Sequence, residues 1–288
     1  MLVRVGSRGS RLALTQAELA AASLRRPGFD VAFVPITTAG DRDRTRPFGE
    51  IGARGVFVKE LEEALLAGRV DVAVHSAKDM TSTDTEGLAV GAYLPRDDPR
   101  DALVGAAAIR PGMRVGTAAA RRRAQLLAHE PTLSVEPLRG NVDTRLRKMR
   151  ERGLDAIVLA ACGLDRLGLS EHVGARLDPE LMLPEAAQGA LALQVRAGEE
   201  SLVAHADDVE TRRRVEAERR LVAAIGAGCL APVAAYHDGT TLRALVADEE
   251  GRWLEGRAGD DPEALAAELA AAAERRRGFI TESAQTRA

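Results

Sequence analysis

The chain has 288 residues, 45% hydrophobic and 29% charged, so it exceeds one small domain and can fill two or three ordinary cores. Its formal net charge of -3 argues against a general nucleic-acid binder, although local arginine clusters can still hold anions. No apolar run approaches the ~20 residues of a membrane span, and the start MLVRVGSRGS has no signal-peptide core, so a cytoplasmic protein is expected.

Residues 2–6 read as a strand, and Ser10 can cap a helix over 11–25 with Leu12, Leu14, Leu19 and Ala20 on its inner face. The turn between them, Ser7-Arg8-Gly9-Ser10, offers hydroxyl and backbone donors. Such a helix start attracts anions, and the Arg8 fork fits a carboxylate. Residues 30–38 form a second strand. Residues 39–55 are rich in glycine and charge with almost no core, which reads as a lid over a binding mouth, with plain disorder as the alternative. Helical spacing returns over 56–67, where Phe57, Leu61, Leu65 and Leu66 share a face.

The stretch VDVAVHSAKDM follows. Residues 71–75 read as a short buried strand that runs into Ser76, Lys78 and Asp79, at the strand end where open α/β sheets place ligands. A carboxylate beside an ammonium there is a candidate proton donor and acceptor; the bland alternative is a solvated turn. After a strand over 88–94, PRDDPR at 95–100 reads as a crossover to a second unit. That unit has strands ending at Val115-Gly116-Thr117 and covering 133–138 and 156–160, with helices over 118–128, 142–150 and 163–167. The alternation implies a mostly parallel sheet. Arg121, Arg122, Arg139, Arg145 and Arg166 all fall on its strand-exit side, a pocket for several carboxylates or phosphates, against the reading of solvated helix residues.

LPEAAQGALALQVR holds a turn and a strand over 190–195 that can re-enter the first sheet. A charged helix covers 210–224, and a loop, Gly226-Ala227-Gly228-Cys229-Leu230-Ala231-Pro232, presents one thiol. Strands over 233–237, 241–247 and 253–257 with Asp-Gly and Glu-Gly turns form an antiparallel meander, which a helix over 262–276 can cover. The two cysteines, Cys162 and Cys229, give neither a disulfide framework nor zinc spacing, and no metal is expected. Cys162, in LAACGL at the apolar end of a strand, reads as core. Cys229 in its loop reads as a nucleophile, ligand or attachment point.

The sequence resembles the porphobilinogen deaminase (hydroxymethylbilane synthase) family over essentially its whole length. Nine collinear motifs carry the likeness: SRGSRLALTQA, GVFVKELEEALL, DVAVHSAKD, RDDPRDAL, RRRAQL, LRGNVDTRL, AACGLDRLGL, AAQGALAL and GAGCLAP. The resemblance implies an α/β protein of three domains, the first two periplasmic-binding-protein-like with a cleft between them and the third a small antiparallel sheet covered by helices. The implied boundaries are 1–94 plus 189–206, 97–186 and 208–288. It also implies a dipyrromethane cofactor held as a thioether by Cys229, and condensation of four porphobilinogens with loss of ammonia, closed by hydrolytic release of hydroxymethylbilane. By the resemblance Asp79 is the catalytic carboxylate. Lys78, Ser10, Arg121, Arg122, Thr117 and Asp41 face the cofactor; Arg8, Arg139, Arg145, Arg166 and Gln188 face the substrate; Phe57 and Lys59 flank the lid. The expected partner is the small molecule porphobilinogen, with no nucleic acid or membrane, and the expected state is a monomer.

Three departures from the family pattern stand out. Ala118 and Ala119 replace hydroxyl residues before the paired arginines, Leu230 follows the cysteine where a polar residue is common, and Glu50 stands where a lid lysine often occurs. Losing two hydroxyl donors costs ~1 kcal/mol each, which raises the alternative of a paralogue with altered product length. The rivals from other classes are a non-catalytic anion- or solute-binding module and a cysteine hydrolase built on Cys229, which lacks an adjacent base.

Overall fold

In the computed structural model the described residues are 1–37, 58–81, 83–226, 232–248 and 250–285. Asp41, Glu50, Phe57, Cys229, Leu230 and the lid expected over 39–55 therefore lie outside the described residues.

The first sheet has the order β2-β1-β3-β10-β4, formed by β1 (Leu2–Arg8), β2 (Asp30–Ile36), β3 (Val72–Ser76), β4 (Leu88–Tyr93) and β10 (Leu191–Arg196). β1, β2 and β3 are parallel, and β10 runs antiparallel between β3 and β4. The strand expected over 190–195 thus re-enters the first sheet, as Leu191–Arg196, in line with what the family resemblance implied. Val3, Val5, Val72, Val74, Leu191, Leu193 and Val195 build the core under helix α1 (Arg11–Leu24). The inner face of α1 differs from expectation. Ala17, Ala20, Ala21 and Leu24 are buried, whereas Leu14 and Leu19 are exposed. Small residues at helical spacing let the helix lie close on the sheet, which turns the bulkier leucines outward. Likewise, in α2 (Lys59–Leu66) Leu61 and Leu65 are buried but Leu66 is exposed.

The second sheet has the order β7-β6-β8-β5-β9, from β5 (Asp101–Val104), β6 (Arg114–Gly116), β7 (Ser134–Glu136), β8 (Ala156–Ala160) and β9 (Val173–Arg176). It repeats the first plan: β6, β7 and β8 are parallel, and β5 runs antiparallel between β8 and β9. Strands β5 and β9 were not foreseen. DALV is four residues long and buried throughout, too short to show a period, and VGAR has little apolar signal. Helices α3 (Ala120–His129), α4 (Val142–Glu151) and α5 (Ala161–Arg166) follow β6, β7 and β8. Cys162 is a buried free thiol in the first turn of α5, beyond the strand end that the sequence suggested. Each sheet borrows its antiparallel strand from beyond a crossover, so the chain passes between the two units twice.

The third sheet is the expected meander, β11 (Val233–His237), β12 (Leu242–Ala247) and β13 (Leu254–Gly259). Leu221, Val222, Val233, Leu242, Leu265 and Leu269 bury its face under α6 (Val209–Ile225) and α7 (Pro262–Gln285). Asp208 caps α6 by accepting from the Thr211 N–H at 2.7 Å, and Gly226, at φ 62°, ends it just before residues 227–231.

Candidate active site

Two strand exits of the first sheet face the second unit. After β1, Ser10 caps α1 by accepting from the Ala13 N–H at 3.3 Å, and the half-buried Arg8 precedes it. Arg11, on the next residue, reaches across to Asp143 at 3.4 Å and to the Leu167 carbonyl at 3.3 Å. After β3 the chain makes one turn of 3-10 helix, Ala77–Asp79, pinned by the Ala77 N–H donating to the Ala190 carbonyl at 3.0 Å. Lys78 and Asp79 are both half-buried there. Lys78 Nζ donates to Gln188 Oε1 at 3.0 Å.

Opposite lies a buried ionic cluster built on Asp101, the first residue of β5, which is wholly buried. Arg121 Nη2 donates to Asp101 at 2.8 Å, Arg122 does so through Nη2 at 2.7 Å and Nε at 3.1 Å, and Gln188 Nε2 adds a fourth bond at 2.9 Å. Burial alone would raise the Asp101 pKa, but the two guanidiniums and these hydrogen bonds outweigh it and hold the carboxyl far below the usual carboxylate range. Arg121 also donates to the Leu183 carbonyl at 2.6 Å and Arg122 to the Val158 carbonyl at 3.1 Å, while Arg121 Nε is buried without a hydrogen-bond partner.

The five arginines expected to line one open pocket therefore divide. Arg121 and Arg122 point inward to Asp101, because a buried carboxylate must recruit cations to remain charged. Arg166 also turns inward, donating to Asp97 at 2.8 Å and to the Gly189 carbonyl at 2.6 Å. Arg145 differs. Its Nε donates to the Gly140 carbonyl at 2.7 Å, and its pKa is pushed down to about 10 by burial and by repulsion from Arg122 and Arg139, with Asp79 opposing. Asp79 of the first unit and Arg145, Arg139 and Arg122 of the second thus share one electrostatic neighbourhood. Thr117 is buried, its Oγ1 accepting from the Ala119 N–H at 3.2 Å. Lys59 sits apart on the exposed start of α2.

Sequence reasoning missed Asp101, Arg96 and Glu218. An acid opening a four-residue strand whose other three residues are apolar, with an arginine pair elsewhere in need of a counter-ion, was the available signal for Asp101. Arg96, in the crossover, forks onto Glu218 of α6 at 2.6 and 3.1 Å. The wholly buried Glu218 also accepts from the N–H groups of Ala187 at 2.6 Å and His237 at 2.8 Å. This carboxylate ties the third sheet to both passages between the first two. His75 on β3 is buried and bonded through Nε2 to Gln194 Oε1 at 2.9 Å, with its pKa pushed down to about 4 by burial.

Among the described residues no group of three or more His, Cys, Asp or Glu is placed to hold a metal ion, and no helix is long and apolar enough to cross a membrane. Among the described residues around Asp79 and Asp101, the cations Lys78, Arg121, Arg122, Arg139 and Arg145 outnumber the carboxylates. Arg121 Nε is buried without a hydrogen-bond partner, and neighbouring cations help push the Arg145 pKa down. A compact group bearing several carboxylates, such as a dipyrromethane, fits that excess.

The profile of the family described as "Porphobilinogen deaminase, dipyromethane cofactor binding domain" matches residues 3–204. The porphobilinogen deaminase of Syntrophotalea carbinolica is 45% identical over 263 residues, covering 86% of this chain and 84% of that protein. Those of Roseiflexus castenholzii (44% over 283 residues, 92% and 93% covered) and Bacillus velezensis (40% over 287 residues, 93% and 92% covered) are similar over nearly the whole length. The backbone of a probable amino-acid ABC transporter extracellular-binding protein from Bacillus subtilis aligns with a TM-score of 0.40 at 12% identity, covering 71% of this chain and 88% of that one. A profile match across the first two sheets, together with relatives alike from end to end, makes this chain a member of the porphobilinogen deaminase family.

Proposed function

We propose that the chain joins four porphobilinogens head to tail, with loss of ammonia at each step, onto a dipyrromethane primer, and releases hydroxymethylbilane by hydrolysis, as a step in tetrapyrrole biosynthesis. The observation that carries this reading is Asp79 beside Lys78 on one unit, near enough to Arg145 of the other to act on its charge, where cations outnumber carboxylates among the described residues.

Each porphobilinogen bears an acetate and a propionate, for which Arg8, Arg139 and Arg145 supply guanidinium forks. When the C–N bond of its protonated aminomethyl group breaks, ammonia departs with the bonding pair and the substrate becomes a methylene-pyrrole cation. Asp79 stabilises that cation as a fixed carboxylate and accepts the proton the pyrrole ring loses once the new C–C bond has formed. The surrounding low-dielectric cluster strengthens both effects. The dipyrromethane, when bound, supplies the terminal pyrrole carbon to which the first substrate is joined. Cys229 would hold it as a thioether, with Lys78 and Ser10 toward its carboxylates and Asp41 among the cofactor-binding residues. Arg121, Arg122, Thr117 and Asp101 form the buried wall behind, and Arg139 and Arg145 in front of it set the substrate's orientation. Phe57 and Lys59 flank the lid segment expected over 39–55. The proposed units are 1–94 plus 189–206, 97–186 and 208–288, in a cytoplasmic monomer that uses neither nucleic acid nor membrane.

The test is the intact mass of the purified protein beside Cys229→Ser. The wild type is expected to exceed its sequence mass by two porphobilinogens less two ammonias, and the variant to show the bare mass. A wild type that stays at the bare mass after incubation with porphobilinogen overturns the reading.

A further inference from the structure

We infer that Gln188 is a positioning residue, not a substrate ligand: a buried amide that fixes Lys78, on the turn presenting Asp79, against Asp101 and Arg122 of the second unit. The inference rests on the reading of Asp79 as the reacting carboxylate.

Every hydrogen-bonding position of the amide is already taken. Nε2 donates to the Pro99 carbonyl at 2.7 Å and to Asp101 Oδ1 at 2.9 Å, while Oε1 accepts from Lys78 Nζ at 3.0 Å and, more weakly, from Arg122 Nη2 at 3.5 Å. That is the full complement of an amide, two donors and two lone pairs, and the residue is wholly buried. Nothing remains to recognise a ligand. The orientation is also unambiguous, since the nitrogen meets a carbonyl and a carboxylate and the oxygen meets two cations. Turning the amide over would oppose like partners at both ends.

The backbone beneath is held as firmly. The Gln188 carbonyl accepts from Arg96 Nε at 2.8 Å. Its neighbour Ala187 has φ 63°, the one non-glycine positive φ among the described residues, and its N–H is bonded to Glu218. A strained backbone persists where its surroundings over-determine it. The crossover touches the Asp79 turn at two points, through this side chain and through the Ala190 carbonyl that holds Ala77. Gln188 therefore sets how the Lys78–Asp79 turn meets the Arg122 side of the second unit.

The chain has only three lysines, Lys59, Lys78 and Lys148, so the environment of Lys78 can be read one residue at a time. Purified wild type and Gln188→Leu are labelled with limiting acetic anhydride, and the acetylation rate at each lysine is measured by peptide mass. Removing a hydrogen bond to a charged group is expected to raise the Lys78 rate about tenfold relative to the exposed Lys59, with Lys148 unchanged. In steady-state turnover of porphobilinogen, kcat is expected to fall about tenfold with KM within about threefold. An unchanged Lys78 rate overturns the inference, as does a KM raised tenfold at unaltered kcat, the signature of a substrate ligand. If Gln188→Leu does not fold, Gln188→Met keeps the length of the side chain and removes the same hydrogen bonds. Lys78 is then expected to react about tenfold faster than in the wild type, and an unchanged rate overturns the inference. The lysine rates need no turnover, so failure of the deaminase reading would leave this result standing or falling by itself.

Discussion

Replacing Asp101 by asparagine removes one buried charge and leaves two guanidiniums, Arg121 and Arg122, without their shared counter-ion. Both arginines and the carboxylate are almost fully shielded from water, so the loss is not softened by solvent. Breaking a buried pair by removing one partner costs about 3–5 kcal/mol, against a typical total stability of about 5–15 kcal/mol. At about 2–4 °C per kcal/mol for chains of this size, the melting temperature should fall by about 6–20 °C. The measurement is a thermal scan of purified wild type and Asp101→Asn at pH 7. If uncompensated charge is the cause, adding Arg121→Met to Asp101→Asn should recover part of the loss, because it removes a surplus cation. A single variant that melts within about 2 °C of the wild type would refute the argument. The pH dependence has a definite sign. The native carboxyl titrates far below its ordinary value near 3.9, so the unfolded chain takes up the proton first on acidification. The contribution of Asp101 is therefore complete above about pH 4 and drains as pH falls below that toward the depressed native value.

His75 titrates near 4 in the native state against about 6.5 when unfolded, so between those values the unfolded chain binds the extra proton and stability falls with falling pH. Urea midpoints at pH 7 and pH 5 should show a slope of up to about 1.4 kcal/mol per pH unit from this site, which His75→Gln abolishes; an undiminished slope in the variant counts against the assignment. Glu218→Gln leaves Arg96 buried without its carboxylate and should cost about 3–5 kcal/mol, with earlier tryptic cleavage within residues 208–288; an unaltered digestion pattern contradicts it. Arg145→Met should raise the KM for porphobilinogen about 10- to 100-fold through loss of a charge-assisted contact, and an unchanged KM removes Arg145 from the substrate wall.

Much of the architecture was legible from the residues alone, because strand and helix periods, the Asp-Gly hairpin and the Ser10 cap are local signals. The Asp79 strand end could be read for the same reason: a short apolar run that stops at charged residues needs no distant partner to be noticed. What could not be read was which charges face each other. Twenty residues of spacing say nothing about whether Arg121 meets a ligand or an internal carboxylate, and the acid that decides it, Asp101, sits on a four-residue strand too short to show a period. The same limit turned Leu14 and Leu19 outward, since α1 packs on its small residues and the sheet beneath, not the helix, selects the face. Sequence determined most of the elements, their order and the family, all properties of neighbouring residues and of composition, while the short strands β5 and β9 escaped it. Tertiary structure alone decided that Arg121, Arg122 and Arg166 turn inward, that Gln188 joins two units, and that Glu218 fastens the third. Burial makes the reach of a charge depend on what the fold places within a few ångströms, and that is a property of the packed chain.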